Sequence, residues 1–109
     1  MAATLTVIFW RDVPAQVVAK AGRRTHKIVL HPRFQATIDK AAMRAGKKQW
    51  DDYIGEWRKE TRPCSDDVEA EATAEAARLE AQYDKHVLAR LVLSGGLASD
   101  EAPSTGQPA

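Results

Sequence analysis

From Thr4 to Trp10, apolar residues occupy both alternating sets of positions. Leu5, Val7 and Phe9 fall on one set; Ile8 and Trp10 join Thr6 on the other. β-Branched and aromatic residues at a period of two predict a strand. Apolar residues on both sets predict a central strand covered on two sides. Arg11-Asp12-Val13-Pro14 turns the chain, and Pro14 removes a backbone donor at a strand start or edge. Ala15 to Ala21 is a second predicted strand, centred on Val17 and Val18. Gly22 with Arg23 and Arg24 makes the next turn, since glycine takes positive φ cheaply. Thr25 to Leu30 is a third, with Ile28 and Leu30 on one face and Val29 on the other. Short turns between successive strands predict an antiparallel meander.

The period then changes. Pro32 opens a predicted helix running to Ala45, with Phe34, Ile38, Ala41, Ala42 and Ala45 on one stripe and Gly46 as the stop. Trp50, Tyr53, Ile54 and Trp57 fall at i, i+3, i+4 and i+7 and predict a second helix to about Glu60, ended by Pro63. A third starts near Asp66, where Asp66 and Glu69 have the spacing of a capping box and Ser65 is the alternative cap. Its stripe of Val68, Ala72, Ala76, Leu79, Tyr83, Val87 and Leu91 runs unbroken to Gly95-Gly96. At 1.5 Å per residue that helix would be roughly 40 Å long. A helix of that length projects, frays or packs on another chain, and is compatible with a homodimer. Residues 96–109, rich in Pro, Ser, Gly and Ala, read as a disordered tail. The expectation is one α+β domain over residues 1–95: a three-stranded antiparallel β-meander followed by three helices, the last one long.

Composition limits what such a domain can be. The chain has 109 residues, 44% hydrophobic and 28% charged, so it has enough apolar material for one core. Cys64 is the single cysteine, which excludes an intramolecular disulfide framework. The N-terminal segment lacks a basic n-region and a long apolar core, and no run approaches the roughly 20 apolar residues of a membrane span. These features predict a soluble, cytoplasmic protein with no membrane partner. The net charge of +1 conceals an asymmetry. Residues 1–62 carry 13 Lys/Arg and 6 Asp/Glu, whereas residues 63–109 carry 3 and 9. Either the acidic half packs beside the basic half, or the basic half meets an anionic partner.

Little of the chain reads as catalytic chemistry. His26, His31, His86 and Cys64 are scattered, with no CxxC or HExxH spacing, so no metal is expected. Cys64 precedes a helix start, whose dipole favours a thiolate, but Asp66 and Asp67 oppose one. Gly95-Gly96 closes a helix and is no phosphate cradle. No pattern calls for a cofactor. The distinctive set is basic and aromatic. Arg11, Lys20, Arg23, Arg24 and Lys27 lie in or beside the first three strands near Trp10. Arginines beside an aromatic on a sheet suit phosphate contact and base stacking, although the basic-Gly-aromatic run of RNA-binding sheets is missing. Trp and Arg are also favoured anchors of protein interfaces.

Four stretches carry a resemblance. They are Phe9-Trp10-Arg11-Asp12-Val13-Pro14-Ala15-Gln16-Val17, Gly22-Arg23-Arg24, Phe34 with Ile38-Asp39-Lys40-Ala41-Ala42-Met43, and Tyr53-Ile54-Gly55-Glu56-Trp57-Arg58. Together with Glu80-Ala81-Gln82-Tyr83-Asp84, they resemble the small bacterial "virulence factor" domain family (the conserved virulence factor C type) over about residues 4–92. The Trp-Arg-Asp-x-Pro-Ala-Gln block is the most specific part. Related domains occur alone or within larger proteins beside iron–sulfur-scaffold-like and helical-repeat segments, and keep company with corrinoid and folate one-carbon enzymes. The resemblance implies an accessory or adaptor role and brings no catalytic residues; the arginine- and tryptophan-rich patch without a catalytic constellation points to a non-enzymatic module with a protein partner. The matched positions Trp10, Arg11, Asp12, Gln16, Arg23 and Arg24 form the expected binding surface. Arg11 and Asp12 also suit turn stabilisation, with the two side chains paired to each other. Two other readings stay open: nucleic-acid binding through the basic sheet, and a small accessory subunit of a corrinoid or folate one-carbon enzyme system.

Overall fold

A computed structural model describes residues 3–46 and 53–98. Its elements are β1 (Ala3–Trp10), β2 (Val13–Ala21), β3 (Arg24–Val29), α1 (Pro32–Arg44), β4 (Trp57–Cys64), α2 (Val68–Gln82) and α3 (Lys85–Leu93). The expected α+β meander is present, but a fourth strand joins it. The sheet order is β3-β2-β1-β4, antiparallel throughout.

β4 replaces part of the helix expected from Trp50 to Glu60. Only Tyr53 and Ile54 of that stretch are helical among the described residues, and Trp50 lies outside them. The helical spacing misleads because β4 offers no apolar alternation to compete with it. Its sequence, WRKETRPC, is exposed or half-buried along its whole length. Its sheet-side residues Arg58, Glu60 and Arg62 face Phe9, Val7 and Leu5 of β1, so charge stands where a core strand would carry aliphatics. Pro63 ends no helix. It sits in this edge strand, where a missing donor is tolerated.

β1 is central in the sheet, but its second face is covered only at the hairpin end, where Trp10 is buried. Leu5, Val7 and Phe9 are buried, whereas Thr4 is exposed and Thr6 and Ile8 are half-buried. α2 packs over β2 and β3 on the covered face, α1 packs on β2, and α3 packs on α1. The core joins Leu5, Val17 and Ala19 of the sheet to Phe34 and Ile38 of α1 and to Ala72 and Leu79 of α2.

The long third helix is two helices. Tyr83 (φ −100°, ψ 71°) leaves α2, and the Asp84 carboxylate accepts from the Val87 N–H to start α3. The break lets the Tyr83 ring meet Phe34 at 6.2 Å. It also shifts the buried stripe, so Leu88 and Leu91 bury while Val87 stays half-buried. At about 1.5 Å per residue the pieces are roughly 22 and 14 Å long, within a molecule 43 × 33 × 21 Å. The α2 cap is Asp67, accepting from the Ala70 N–H, rather than Asp66 or Ser65. Gly96, Leu97 and Ala98, expected to begin the tail, return to the β1–β2 turn; the rest of that expected tail lies outside the described residues.

Candidate binding surface

The six residues of the expected surface fall in three places. Trp10, Arg11 and Asp12 form one end of the β1–β2 hairpin. Gln16 lies partway along β2. Arg23 and Arg24 stand exposed at the β2–β3 turn, roughly 23 Å from Trp10 along the strands. They do not make one patch.

The first group is a structural clasp. β1 and β2 are joined by a two-residue loop, since Trp10 pairs with Val13. Arg11 takes the left-handed conformation there (φ 53°), as Gly22 does at φ 60° in the equivalent place of the next hairpin. A non-glycine residue in that conformation costs about 1–2 kcal/mol and persists where its surroundings over-determine it. They do so at Arg11. Its N–H donates to the Glu56 carbonyl (3.0 Å) and its guanidinium donates to the Gly95 carbonyl (3.0 Å) and pairs with the Glu56 carboxylate. Arg11 and Asp12 are thus not partners of each other. Asp12 accepts from Arg58 (2.9 Å) and from the Ala98 N–H (2.6 Å). Trp10 is fully buried; its indole N–H donates to the Tyr53 carbonyl (2.8 Å) and its ring stacks on Tyr53 at 5.8 Å. Gly96 closes over that ring at φ 92°, so tightly that a Cβ there would stand 2.8 Å from the indole. Two sequence-distant segments, 53–58 and 95–98, meet on this turn, which accounts physically for a Trp-Arg-Asp block at this position.

Gln16 belongs to a different feature, the uncovered face of the sheet. The register places three residues of each strand on it. Across the sheet the rows run Val29–Gln16–Ile8–Lys59, then Lys27–Val18–Thr6–Thr61, then Thr25–Lys20–Thr4–Pro63. Every one of these twelve side chains is exposed or half-buried, and Val29 is 67% exposed. Three are lysines and none is acidic or aromatic; the same alternation continues on β4 to Trp57, half-buried against Tyr53. Thr6 and Thr61 share a hydroxyl hydrogen bond in the middle of the face. At about 4.8 Å between strands and 3.4 Å per residue the face measures roughly 400 Å². Sequence reasoning missed it because it assigned β1 two covered faces and β4 a helix.

On the opposite face a cavity of about 360 Å³ lies between β4 and α2, lined by Leu5, Val7 and Phe9 beneath Glu60, Arg62, Glu75, Arg78 and Tyr83. Its charges neutralise one another. Glu75 is buried and accepts from both Arg78 and Arg62. The Arg78 hydrogen bond, reinforced by Arg62, holds its carboxyl below the usual range against the opposing effect of burial. Arg58 lies over the Phe9 ring at 4.4 Å and pairs with Asp12 and Glu60. Burial, with the Asp12 and Glu60 carboxylates behind it, pushes the Tyr83 phenol up. Among the described residues, no cysteine, serine or histidine lines the cavity. Cys64, at the end of β4, donates to the Ser65 carbonyl, and burial together with Glu71 pushes its thiol up, away from thiolate character. His31 serves as the cap of α1, its Nδ1 accepting from the Arg33 N–H. No group of three or more metal-ligating side chains occurs among the described residues, and no helix there is long and apolar enough to cross a membrane.

A family model described as "Virulence factor" matches residues 8–92. No curated protein and no solved structure matches the chain.

Proposed function

We propose, on the premise that this chain belongs to the virulence factor family, that it is a non-enzymatic binding module whose open sheet face docks an acidic protein partner. The observation that carries this is the charge of that face: three lysines and no carboxylate among twelve outward positions. Ile8, Val18 and Thr6 form a weakly polar centre, with Lys20, Lys27 and Lys59 around it. An apolar centre with a charged rim is the anatomy of a protein interface. A single-stranded nucleic acid would need several stacking platforms, and the twelve positions offer no aromatic ring; Trp57, next along β4 at the hairpin end, is half-buried against Tyr53. At roughly 400 Å² the face is half the area that one partner contributes to a stable complex, so it suits a transient contact or part of a larger one. Arg23, beside Lys20 at the β2–β3 turn, extends the basic rim. Trp10, Arg11 and Asp12 support the site by fixing the hairpin and do not touch the partner.

The test is site-specific photo-crosslinking in the native host. A photoreactive residue at Val29 should capture a protein; one at Glu69, on α2, should not capture the same species. The triple variant Lys20→Glu, Lys27→Glu, Lys59→Glu should abolish the Val29 product while melting like the parent. Unchanged capture by the folded triple variant overturns the siting. Capture of nucleic acid, with affinity falling steeply in salt, replaces the protein reading with the nucleic-acid one.

A further inference from the structure

A second uncovered surface lies between α1 and α3, and it is independent of the sheet face. The two helices run side by side in the same direction. Arg33 and Lys85 face each other at one end, and Arg44 donates to the Leu93 carbonyl at the other. Between them runs a groove whose deeper part holds about 230 Å³. A shallower continuation shares Lys40 and Val92 and reaches Met43, which is 65% exposed. α1 contributes positions 33, 36, 37 and 40, and α3 contributes 85, 88, 89 and 92. Both sets have i, i+3, i+4, i+7 spacing, so each helix turns one full stripe toward the groove. Ala36 and Ala89 keep the walls low.

The groove is apolar along its floor and strictly cationic at its margins. Leu88 and Val92 lie below Arg33, Lys40, Arg44 and Lys85, and no carboxylate lines it. The nearest carboxylates in sequence are engaged elsewhere, Asp39 by Gln35 and Asp84 by the Val87 N–H. A second copy meeting this one groove to groove would bring cations against cations. A segment with an apolar stripe and acidic flanks satisfies both features at once. A helix supplies that stripe at the spacing the walls already have, since ridges formed every three or four residues pack into grooves of the same period.

We propose that the α1–α3 groove binds an acidic amphipathic helix of a partner protein, its apolar stripe on Leu88 and Val92 and its carboxylates on Lys40 and Lys85. α3 is about 14 Å long, so roughly two to three turns of such a helix would be gripped.

The experiment uses the full chain, isotopically labelled, titrated with a peptide of about 18 residues bearing leucines every three or four positions and glutamates between them. Amide shifts should concentrate in α1 and α3 and leave β1–β4 unmoved. Lys40→Glu with Lys85→Glu, both exposed, should weaken binding by about tenfold or more with an unchanged melting temperature. A peptide of the same composition in scrambled order should lose a similar factor. No binding at about 1 mM, equal binding by the scrambled peptide, or shifts on the sheet face would each overturn the proposal. So would tighter binding of a single-stranded oligonucleotide at the same residues, or self-association of the chain through them. The sheet-face reading survives or fails separately, because its variant carries none of these substitutions.

Discussion

Single charged residues tie the edge strand and the hairpin turn to an apolar core. Arg58 is the clearest case, joining Asp12, Glu60, the Arg11 carbonyl and the face of Phe9. Glu75 does the same across the β4–α2 gap. Its folded-state pKa lies below the ordinary 4.5 because Arg78 and Arg62 hydrogen-bond the ionised form. A carboxyl depressed in the folded state stabilises the protein above its unfolded pKa. That contribution is lost as pH falls through the lower folded value. Glu75→Gln should therefore cost about 1–2 kcal/mol at pH 7, the figure kept small because both arginines remain half-exposed and rehydrate. The cost should shrink as pH falls below 4.5, where the parent loses the same interaction. Urea unfolding at pH 7 and pH 3.5 measures both limits. A constant difference between the two would show that Glu75 contributes packing and not charge.

At the scale of elements, legibility followed burial. β2, β3 and α1 were readable because each sends an apolar stripe into the core: Val17 and Ala19, Ile28, and Phe34 with Ile38. β4 was not, because its pairing with β1 is backbone hydrogen bonding and its side chains satisfy each other and α2 through ions. The same blindness hid the open face and dispersed the expected binding set. Trp10, Arg11 and Asp12 were legible as a distinctive block, but sequence could not say that Glu56, Arg58, Gly95 and Ala98 would return to it. The α2–α3 break was invisible for a subtler reason. Its helical stripe continues through Tyr83 to Val87, and nothing in the apolar pattern marks the new start that Asp84 caps. Replacing Asp84 by alanine should accelerate amide exchange of residues 85–88 by about three- to tenfold and leave α2 untouched. If the cap alone made the break, the variant would instead gain protected amides at 83 and 84 as the two helices fused.

For the whole molecule the decisive feature is where charge is left uncompensated. The acidic half does meet the basic half, through Glu75 with Arg62, Glu80 with the His31 N–H, and the Asp66 carbonyl with Arg24. Yet the open sheet face and the α1–α3 groove retain cations with no carboxylate among them, so compensation is local and incomplete. This bears on self-association. Two copies meeting through their open faces would bury roughly 800 Å² in total, below the roughly 1,200–2,000 Å² of specific interfaces, and would oppose lysine to lysine. The break at Tyr83–Asp84 also removes the projecting helix that favoured a dimer. The chain should therefore sediment as a monomer from micromolar to about 1 mM in 50 mM salt. Raising salt to 0.5 M shortens the screening length from roughly 14 to about 4 Å, which would weaken lysine repulsion while leaving any contact of Ile8, Val18 and Val29 intact. A monomer at both salts means the face lacks self-complementarity and awaits a partner of opposite charge. A dimer appearing only at high salt would mean that the lysines alone keep copies apart. A dimer at low salt that dissolves at high salt would require opposite charges across the contact and point to the carboxylates of α2 meeting one of the two basic surfaces.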